Sequence, residues 1–351
     1  MSYVAIKGGT EAITASKALY KKMLAGEFPD IDGVQGQLLF GLDRIMGEGA
    51  LYSQQMGIRA IEYSGCDLLE AAFYLRAHRS TCRRAGIAET VRTEDIRLVR
   101  RISSAFKEIP GGQILGPSSD YLFKLLAEKR PVPGPSTIPV AAARGKVAGA
   151  LDELRRQERI LQLEVDQEEP FDITRATPLP PYPRSSLMQM MARGETGSML
   201  AFAYTSLRGY GDVHPTIGEL RLGMVALETT HPFTGNRVTV GEIRVTAVES
   251  VGSFKKDPRD GKLRLATGFG FCFGFNETKA IAMSILDLAM TWPSFSIGGE
   301  DGVATSPEMI MHHIDGIESM GFTNHFKMPH YVTFQADLHT FNKAKDNKHH
   351  D

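Results

Sequence analysis

Two histidines near the C-terminal end of the chain have an unusual spacing for metal ligands. His325 and His330 lie five positions apart in the segment NHFKMPHYVTF, and a proline stands directly before the second. Five positions on a helix rotate the side chain by roughly 500°, which leaves the two rings about 140° apart. Five positions on a strand place the two side chains on opposite faces. The pair therefore needs a bend in the chain, and Pro329 favours one.

A zinc site built on these two histidines would be incomplete. Structural zinc takes four protein ligands, and catalytic zinc takes three together with a water. A further ligand must then come from elsewhere in the chain or from a partner. The spacing leaves two interpretations open: half of a metal site, or two ordinary histidines beside a turn.

The densest polar segment is SLRGYGDVHPTIGELR, which places Arg208, Asp212, His214 and Glu219 among three glycines. Glycine-rich loops that also carry charged groups are common functional sites. An arginine can hold a phosphate or carboxylate through two parallel hydrogen bonds. A carboxylate there can stabilise a cationic transition state. The alternative is a surface loop whose charges pair with one another.

A cluster of basic residues lies in RLVRRISSAFKEIPGGQILGP, which contains Arg97, Arg100, Arg101 and Lys107. The pattern predicts a helix over 93–109, on which Arg97 and Arg101 would share a face. Backbone amides in the following glycine-rich turn could bind a phosphate beside these side chains. The alternative is an ordinary solvated helix surface.

Composition excludes some classes of partner. The 351 residues include 40 Lys+Arg and 41 Asp+Glu, so no bulk charge favours nucleic acid or a membrane surface. No run reaches the roughly 18 apolar residues of a membrane span. The three cysteines, Cys66, Cys82 and Cys272, lack metal-type spacing and fit a reducing compartment. With no signal-like segment at the start, we expect a cytoplasmic protein.

The periodic segments predict an α+β fold, in which a mainly helical N-terminal region precedes an antiparallel sheet packed with helices. The expected organisation is a helical domain over 1–130, a variable linker over 131–184 and an α+β domain over 185–351. Strands are predicted at 3–7, 220–230, 237–251 and 262–275. Helices are predicted at 10–26, 34–50, 66–86, 93–109, 118–130, 141–164, 185–195, 197–211, 276–292 and 306–321. The first of these helices should bury one apolar face, and the tail from 330 to 345 should begin extended and end helical.

A series of long motifs identifies a family resemblance. In order they are YVAIKGG, DRIMGEG, LRAHR, RRISSAFKEIPGGQILGPSSDY, DITR, YPRSS, AYTSLRGYGDVHP, GFGFCFGFNETKAIAM and GFTNHFKMPHYVTFQADL. Together they resemble the I subunit of the bacterial carbon–phosphorus lyase core complex, almost end to end. The stretch from about 130 to 170 does not visibly match.

The resemblance implies a role in phosphonate degradation. Such subunits act with partners G, H and L to displace adenine from ATP by methylphosphonate at the ribose 1′ carbon. The products are α-D-ribose 1-methylphosphonate 5-triphosphate and adenine. The isolated subunit resembles a purine nucleosidase, which uses water as the nucleophile. The core assembly contains subunits G, H and J, and J later cleaves the C–P bond with an iron–sulfur cluster and S-adenosylmethionine.

The resemblance also implies a zinc site near the boundary with subunit J, because His325 and His330 match the family's HxxxPH pattern. The other expected roles come from residue chemistry: a carboxylate near the sugar, a donor near the base and cations on the triphosphate of Mg-ATP. The residues expected in these roles are Asp212 or Glu219, His214, and Arg101, Lys107 and Arg208. Two alternatives are a scaffold subunit that completes a shared zinc site, and an independent zinc hydrolase, which lacks an evident third ligand.

Overall fold

The computed structural model describes residues 9–24, 38–121, 146–163, 169–208, 214–296, 299–329 and 331–347. The predicted strand at 3–7, most of the predicted helix at 118–130, Asp212 and His330 lie outside these residues. The chain divides into two compact units, which are described separately. The larger unit is Pro29–Ile317, and the smaller one combines Met1–Phe28 with Glu318–Asp351.

The described residues form eleven α-helices and four strands. The helices are α1 Gly9–Met23, α2 Leu39–Glu48, α3 Gln54–Tyr63, α4 Leu68–Thr81, α5 Asp152–Arg156, α6 Arg184–Arg193, α7 Thr196–Leu207, α8 Glu277–Thr291, α9 Pro307–His313, α10 Gly316–His325 and α11 Tyr331–Asn347. The strands are β1 Arg97–Ile102, β2 Thr216–Thr230, β3 Arg237–Lys256 and β4 Leu263–Phe273. This confirms the predicted α+β class.

The larger unit contains one antiparallel sheet with the strand order β1-β2-β3-β4. Helix α8 packs on one face of the sheet, and α6, α7 and α9 cover the outer side of α8. A methionine-rich core fills the space between these helices; it includes Met191, Met199, Met283, Leu286 and Ile310. The buried positions of β4 alternate, as expected for a strand with one face packed on the core and the other only partly covered.

The predicted helix over 93–109 is wrong. Residues Thr93–Asp95 form a single 3-10 turn, and β1 follows and pairs with β2, so that Arg101 lies opposite Arg221. The central four residues of β1 are all buried, because both faces of the strand are covered. A short run that is buried on both sides has no strand-like alternation, so its pattern cannot distinguish a strand from a buried helix.

Other boundaries also differ from the predictions. The predicted helix at 306–321 is two helices, α9 and α10, and α10 continues through Gly321 to His325. The tail is helical from Tyr331 onward rather than extended at its start. Helix α3 was not predicted, and the described part of 141–164 contains only the short helix α5.

The smaller unit contains α1, α11 and most of α10. Helix α1 buries none of its residues, so the prediction of one buried apolar face is wrong; Leu19 and Met23 are 65 % and 78 % exposed. Among the described residues, we find no helix with the length and apolar character needed to cross a membrane.

Two glycines of β4 allow α8 to approach the backbone of the sheet. A Cβ atom at Gly270 would lie 2.1 Å from the carbonyl oxygen of Ala280 and 2.9 Å from the amide nitrogen of Ser284. A Cβ atom at Gly268 would lie 2.1 Å from the carbonyl oxygen of Ser284. All three distances are too short for any side chain, so the helix and the strand would have to separate.

We therefore expect Gly270→Ala to lower the free energy of unfolding by about 1–3 kcal/mol, through overpacking. Urea unfolding of the full chain, followed by circular dichroism, would measure the change. Gly241→Ala in β3 is the control, because a Cβ atom there meets nothing within 4 Å. Equal stability of the two variants would contradict the proposed contact between strand and helix.

Candidate functional site

The structure brings together two of the predicted site residues, Arg101 and Glu219. Arg101 lies on β1 with none of its surface exposed, and Glu219 lies on β2 with 5 % exposed. The Nε of Arg101 donates to Oε1 of Glu219 at 2.5 Å. The Nε of Arg221, two residues further along β2, donates to the same oxygen at 2.9 Å. The buried carboxylate of Glu219 thus accepts hydrogen bonds from two buried guanidinium groups.

The remaining contacts of this cluster go to the backbone. Arg101 donates to the carbonyl oxygens of Pro110, of Gly112 at 3.1 Å and of Ala148 at 2.9 Å. The other carboxylate oxygen of Glu219 accepts from the amide of Ala150 at 3.0 Å. These bonds attach two loops to the sheet. A catalytic role for Glu219 and a phosphate-binding role for Arg101 stay predictions.

Three further predicted residues lie at the surface of the larger unit. Lys107 is exposed, and Arg208 caps the C-terminal end of α7, with its guanidinium carbon 5.6 Å from the centre of the Tyr204 ring. His214 is exposed and donates from Nδ1 to the carbonyl oxygen of Pro215 at 2.9 Å. Asp212 lies outside the described residues, so its predicted role stays untested.

His325 ends helix α10 in the smaller unit. Its ring contacts the rings of Phe322 and Phe326, with centre-to-centre distances of 4.6 Å and 4.3 Å, and its Nδ1 contacts the carbonyl oxygen of Phe322. A histidine that ligates a metal commonly donates its other nitrogen to a carbonyl group, so Nε2 would be the ligating atom. His325 thus fits a zinc ligand, and His330 lies outside the described residues. Among those described, no group of three His, Cys, Asp or Glu side chains could hold a metal.

An apolar cavity of about 230 Å³ lies in the larger unit against the edge strand β4. Among the described residues, no strand pairs with the outer edge of β4 at Phe271–Phe273, and side chains from both faces of the strand reach the cavity: Phe271 and Phe273 from one face, Cys272 from the other. The ends of α2, α4 and α6 and the loop before α6 complete the wall. We call this space the apolar cavity.

A polar cleft of about 660 Å³ adjoins the apolar cavity. The two spaces share Arg79, Ile173, Thr174 and Arg193 in their walls, so they lie side by side. We call the second space the arginine cleft because five arginines line it: Arg79, Arg83, Arg84, Arg175 and Arg193. Ligand sites typically occupy about 300–1,000 Å³, and the two spaces together fall in this range.

Hydrogen bonds position the loop at 171–174, which lines both spaces. Asp172 accepts from Nη1 of Arg84 at 2.6 Å, and from the amide and hydroxyl of Thr174 at 2.9 Å and 2.6 Å. The bond from Arg84, together with those from Thr174, holds the pKa of Asp172 well below its usual range. Gln189 of α6 accepts from the amide of Ile173 at 3.4 Å and donates to the carbonyl oxygen of Phe171. The loop at 171–174 is therefore fixed at both ends.

Arg76 of α4 forms hydrogen bonds with the C-terminal ends of two other helices beside the cavity. Its guanidinium donates to the carbonyl oxygen of Glu48 at the end of α2 and to that of Arg193 at the end of α6. It also pairs with Asp315 at 2.5 Å. One partly buried side chain thus joins three helices at the wall of the site.

The chemistry of the cavity wall excludes a thiolate nucleophile. Burial raises the pKa of the Cys272 thiol to about 12, so the thiol stays protonated near neutral pH. Cys272 therefore contributes apolar surface, like the phenylalanines beside it.

The arginine cleft carries excess positive charge. Arg84 and Arg175 both pair with Asp172, and Arg193 lies 3.8 Å from Asp315. Among the described residues, Arg79 and Arg83 pair with no carboxylate. An excess of guanidinium groups in a concave site favours a polyanion, since each can form two parallel hydrogen bonds with phosphate oxygens.

Another cleft, of about 780 Å³, has a different charge balance. Lys146 pairs with Asp95 at 2.8 Å, and Arg237 lies 4.0 Å from Glu89. Its charged groups neutralise one another, so it offers no comparable site for an anion. The arginine cleft with the apolar cavity is the better candidate.

The residues of these two spaces were not singled out from the sequence, although a signal was present. Four arginines fall within nine residues at the end of α4 and after it: Arg76, Arg79, Arg83 and Arg84. Moreover, the motifs DRIMGEG, LRAHR, DITR and GFGFCFGFNETKAIAM all contribute to the walls of the two spaces. Segments far apart in sequence, on which the family resemblance rests, thus converge on one site.

Comparison with known proteins agrees with that resemblance. The family model described as bacterial phosphonate metabolism protein (PhnI) matches residues 2–348. The chain is 42 % identical to a Stutzerimonas stutzeri protein, HtxH, named for a C-P lyase subunit, over 99 % of this chain and 96 % of that protein. Two relatives named alpha-D-ribose 1-methylphosphonate 5-triphosphate synthase subunit PhnI are 36 % and 37 % identical. The alignment with the Escherichia coli protein covers 99 % of each chain. The alignment with the Rhizobium meliloti protein covers 96 % of this chain and 93 % of that protein. The chain therefore belongs to the family of bacterial phosphonate metabolism proteins, PhnI.

Proposed function

We propose that this chain is the nucleotide-binding subunit of an α-D-ribose 1-methylphosphonate 5-triphosphate synthase. Acting with partner subunits G, H and L, it displaces adenine from ATP by methylphosphonate at the ribose 1′ carbon. Without a phosphonate, water takes the place of the nucleophile, and the chain acts as a purine nucleosidase. The names of the relatives and the chemistry of the site together support this proposal.

The observation that carries the proposal is that the apolar cavity and the arginine cleft lie side by side and share four wall residues. A nucleoside triphosphate has the same two-part character, with a flat base at one end and a polyanion at the other. Phe271 and Phe273 offer aromatic surface to the base. Arg79 and Arg83 offer cationic donors to the triphosphate, or to the magnesium-bound form that enters the reaction.

In this proposal the ribose lies where the two spaces meet. Cleavage of the N-glycosidic bond builds positive charge on the sugar, as in an oxocarbenium-like transition state. The electron pair of that bond leaves with the base, and a phosphonate oxygen forms the new bond to the 1′ carbon. Arg79 and Arg193 line both spaces, so they would also attract the anionic phosphonate to the reacting carbon.

The residues first expected from the sequence remain separate proposals. Asp212 or Glu219 would stabilise the sugar cation, His214 would assist the departing base, and Arg101, Lys107 and Arg208 would bind phosphates. None of the described members of this set lines the apolar cavity or the arginine cleft. Mutation can therefore distinguish the two locations.

The zinc site is a further part of the proposal. His325 and His330 would hold the metal with at least one ligand from subunit J, and bound zinc would fasten the two chains together.

We expect His325→Ala and His330→Ala each to reduce the zinc content of the assembled complex to background, because two remaining ligands bind zinc weakly. Metal analysis of the purified complex measures this. His339→Ala on the exposed face of α11 is the control, and unchanged zinc in both site variants would contradict the assignment.

A direct assay tests the proposed function. The full chain, with and without its partners, is incubated with Mg-ATP and methylphosphonate, and free adenine and the ribose triphosphate product are quantified. Release of adenine by the chain alone, and formation of the phosphonate ester with partners, are the expected results. If adenine appears only when partners are present and is insensitive to changes in the arginine cleft, the chain is a scaffold whose partners carry the catalytic groups.

A further inference from the structure

The carboxylate of Asp172 is surrounded by groups that would also bind a phosphate. Its Oδ2 accepts from Nη1 of Arg84 at 2.6 Å, and Nε of Arg175 lies 3.5 Å from the same oxygen. Its Oδ1 accepts from the amide of Thr174 at 2.9 Å and from the hydroxyl of Thr174 at 2.6 Å. Two guanidinium groups, one amide and one hydroxyl thus lie around a single anion of the chain.

These donors can be reached from the arginine cleft. Arg84, Thr174 and Arg175 all line the cleft, and all three are exposed. The Nη2 of Arg84 donates to the hydroxyl of Thr174 at 2.7 Å, so the two groups lie side by side in the wall. A ligand in the cleft can therefore contact the same groups that bind Asp172.

A phosphate suits this set of donors better than a carboxylate does. A terminal phosphate carries about two negative charges and three acceptor oxygens, whereas a carboxylate has one charge and two oxygens. Guanidinium groups form parallel hydrogen bonds with either anion. The pair of Arg84 and Asp172 is exposed to solvent, and exposed ion pairs are weak, so a stronger anion can replace the carboxylate.

Two neighbouring arginines would bring the phosphate to this point. Arg79 and Arg83 line the same cleft, and among the described residues they pair with no carboxylate. A polyanion held by them keeps its next phosphate close to Arg84. That phosphate then competes with Asp172 at a high effective concentration, which a separate anion in solution does not reach.

We propose that Asp172 competes with one phosphate of the bound nucleotide for the donors of Arg84 and Thr174, so that this phosphate takes the place of the carboxylate. The inference rests on the nucleotide-binding function proposed above, and it assigns a phosphate subsite to Arg84 and Thr174. Asp172 is a positioning residue, because it acts on the ligand through Arg84. A ligand with no phosphate at this point gains nothing from the subsite, since the carboxylate already satisfies the donors.

The test measures the binding of inorganic tripolyphosphate and of ATP to the full chain by calorimetry. Asp172→Asn keeps the size of the side chain and removes its charge, so the competing anion is lost. We expect this variant to bind both ligands about three- to fivefold more tightly, the effect of removing one exposed ion pair. A residue that only supported the loop would give the opposite result, because its loss would weaken binding.

A double variant shows whether the gain depends on Arg84. Chains with Arg84→Ala alone and with Arg84→Ala and Asp172→Asn together are compared, so any disturbance of the loop by the loss of Arg84 is common to both. The second change should then improve tripolyphosphate binding by less than about twofold, because the shared donor is absent.

Asp260→Asn is the matched control. Asp260 accepts two hydrogen bonds from Arg264, each of 2.7 Å, and its side chain is 35 % exposed, against 30 % for Asp172. Asp260 lines neither the apolar cavity nor the arginine cleft. Its substitution makes the same change in net charge and should leave tripolyphosphate binding unchanged. Adenosine, which has no phosphate, should bind Asp172→Asn as tightly as it binds the unchanged chain.

The outcomes separate this inference from the proposed function. The inference is overturned if Asp172→Asn binds tripolyphosphate no more tightly than the unchanged chain, if Asp260→Asn gains as much, or if the gain is as large without Arg84. In each of these cases ATP still binds, and only the role of Asp172 fails. If the full chain binds neither ATP nor tripolyphosphate, the proposed function fails, and the role of Asp172 fails with it.

Discussion

A chain that carries both Arg79→Ala and Arg83→Ala should bind ATP about 100-fold more weakly than the unchanged chain. Hydrogen bonds to charged groups contribute about 1.5–3 kcal/mol each, which corresponds to about 10- to 100-fold in the dissociation constant. Arg83 is exposed and Arg79 is half-buried, so the lower end of that range applies to each.

These two arginines are the informative pair because they pair with no carboxylate among the described residues. Arg84 and Arg175 already pair with Asp172, and their loss would also disturb the loop at 171–174. Changes at Arg79 and Arg83 therefore report on the ligand rather than on local structure. The single variants should each weaken binding by about tenfold, and their effects should combine if both contact the same polyanion.

Adenosine provides the internal control, since it has the base and the sugar but no phosphate. Its affinity should change little in the double variant. Arg156→Ala is the matched protein control, because Arg156 is 72 % exposed and pairs with Glu153 outside the cleft. Equal losses for ATP and adenosine would show that the variant damages the fold, and an unchanged affinity for ATP would remove the cleft from the proposal.

Much of the fold follows from the sequence because long segments have a single dominant period. Strands β2, β3 and β4 are long, bounded by turn residues and rich in β-branched or aromatic side chains, and α8 has an asparagine cap and a continuous apolar face. Their types were predicted correctly. The error at β1 arose because its central four residues are buried on both faces, a property set by neighbours that are distant in sequence.

The candidate site was harder to predict because it depends on which charges remain unpaired after folding. By sequence, Arg101 and Arg79 are similar, each being one of several arginines in a short stretch. In the structure Glu219 and backbone carbonyls satisfy Arg101, whereas Arg79 lines a cleft. No local pattern distinguishes these outcomes, since Glu219 lies 118 positions from Arg101.

Glu219→Gln should lower the free energy of unfolding by about 3–5 kcal/mol, a larger loss than the one expected for Gly270→Ala. The carboxylate is the counter-charge for Arg101 and Arg221, both of which are almost fully buried. Neutralising it leaves two guanidinium groups in the interior without a compensating charge.

The loss of hydrogen bonds adds to the destabilisation expected for this substitution. All three partners of the carboxylate are donors: the Nε atoms of Arg101 and Arg221 on one oxygen, and the amide of Ala150 on the other. A glutamine must direct its NH₂ group at one of these donors in either orientation, so at least one buried bond is lost. The loops that Arg101 holds at Pro110 and Ala148 should loosen as a result.

Glu242→Gln is the matched control for this prediction. Glu242 on β3 accepts two hydrogen bonds from Arg97 on β1, but both side chains of this pair are more than a third exposed. A pair at that exposure contributes about 0–1 kcal/mol. Urea unfolding of both variants, with hydrogen exchange at the 110 and 148 loops, measures the difference. Comparable stability of the two variants would mean that Glu219 is not the counter-charge of the core, and its burial beside two arginines would then need a different cause, such as the catalytic role first expected for it.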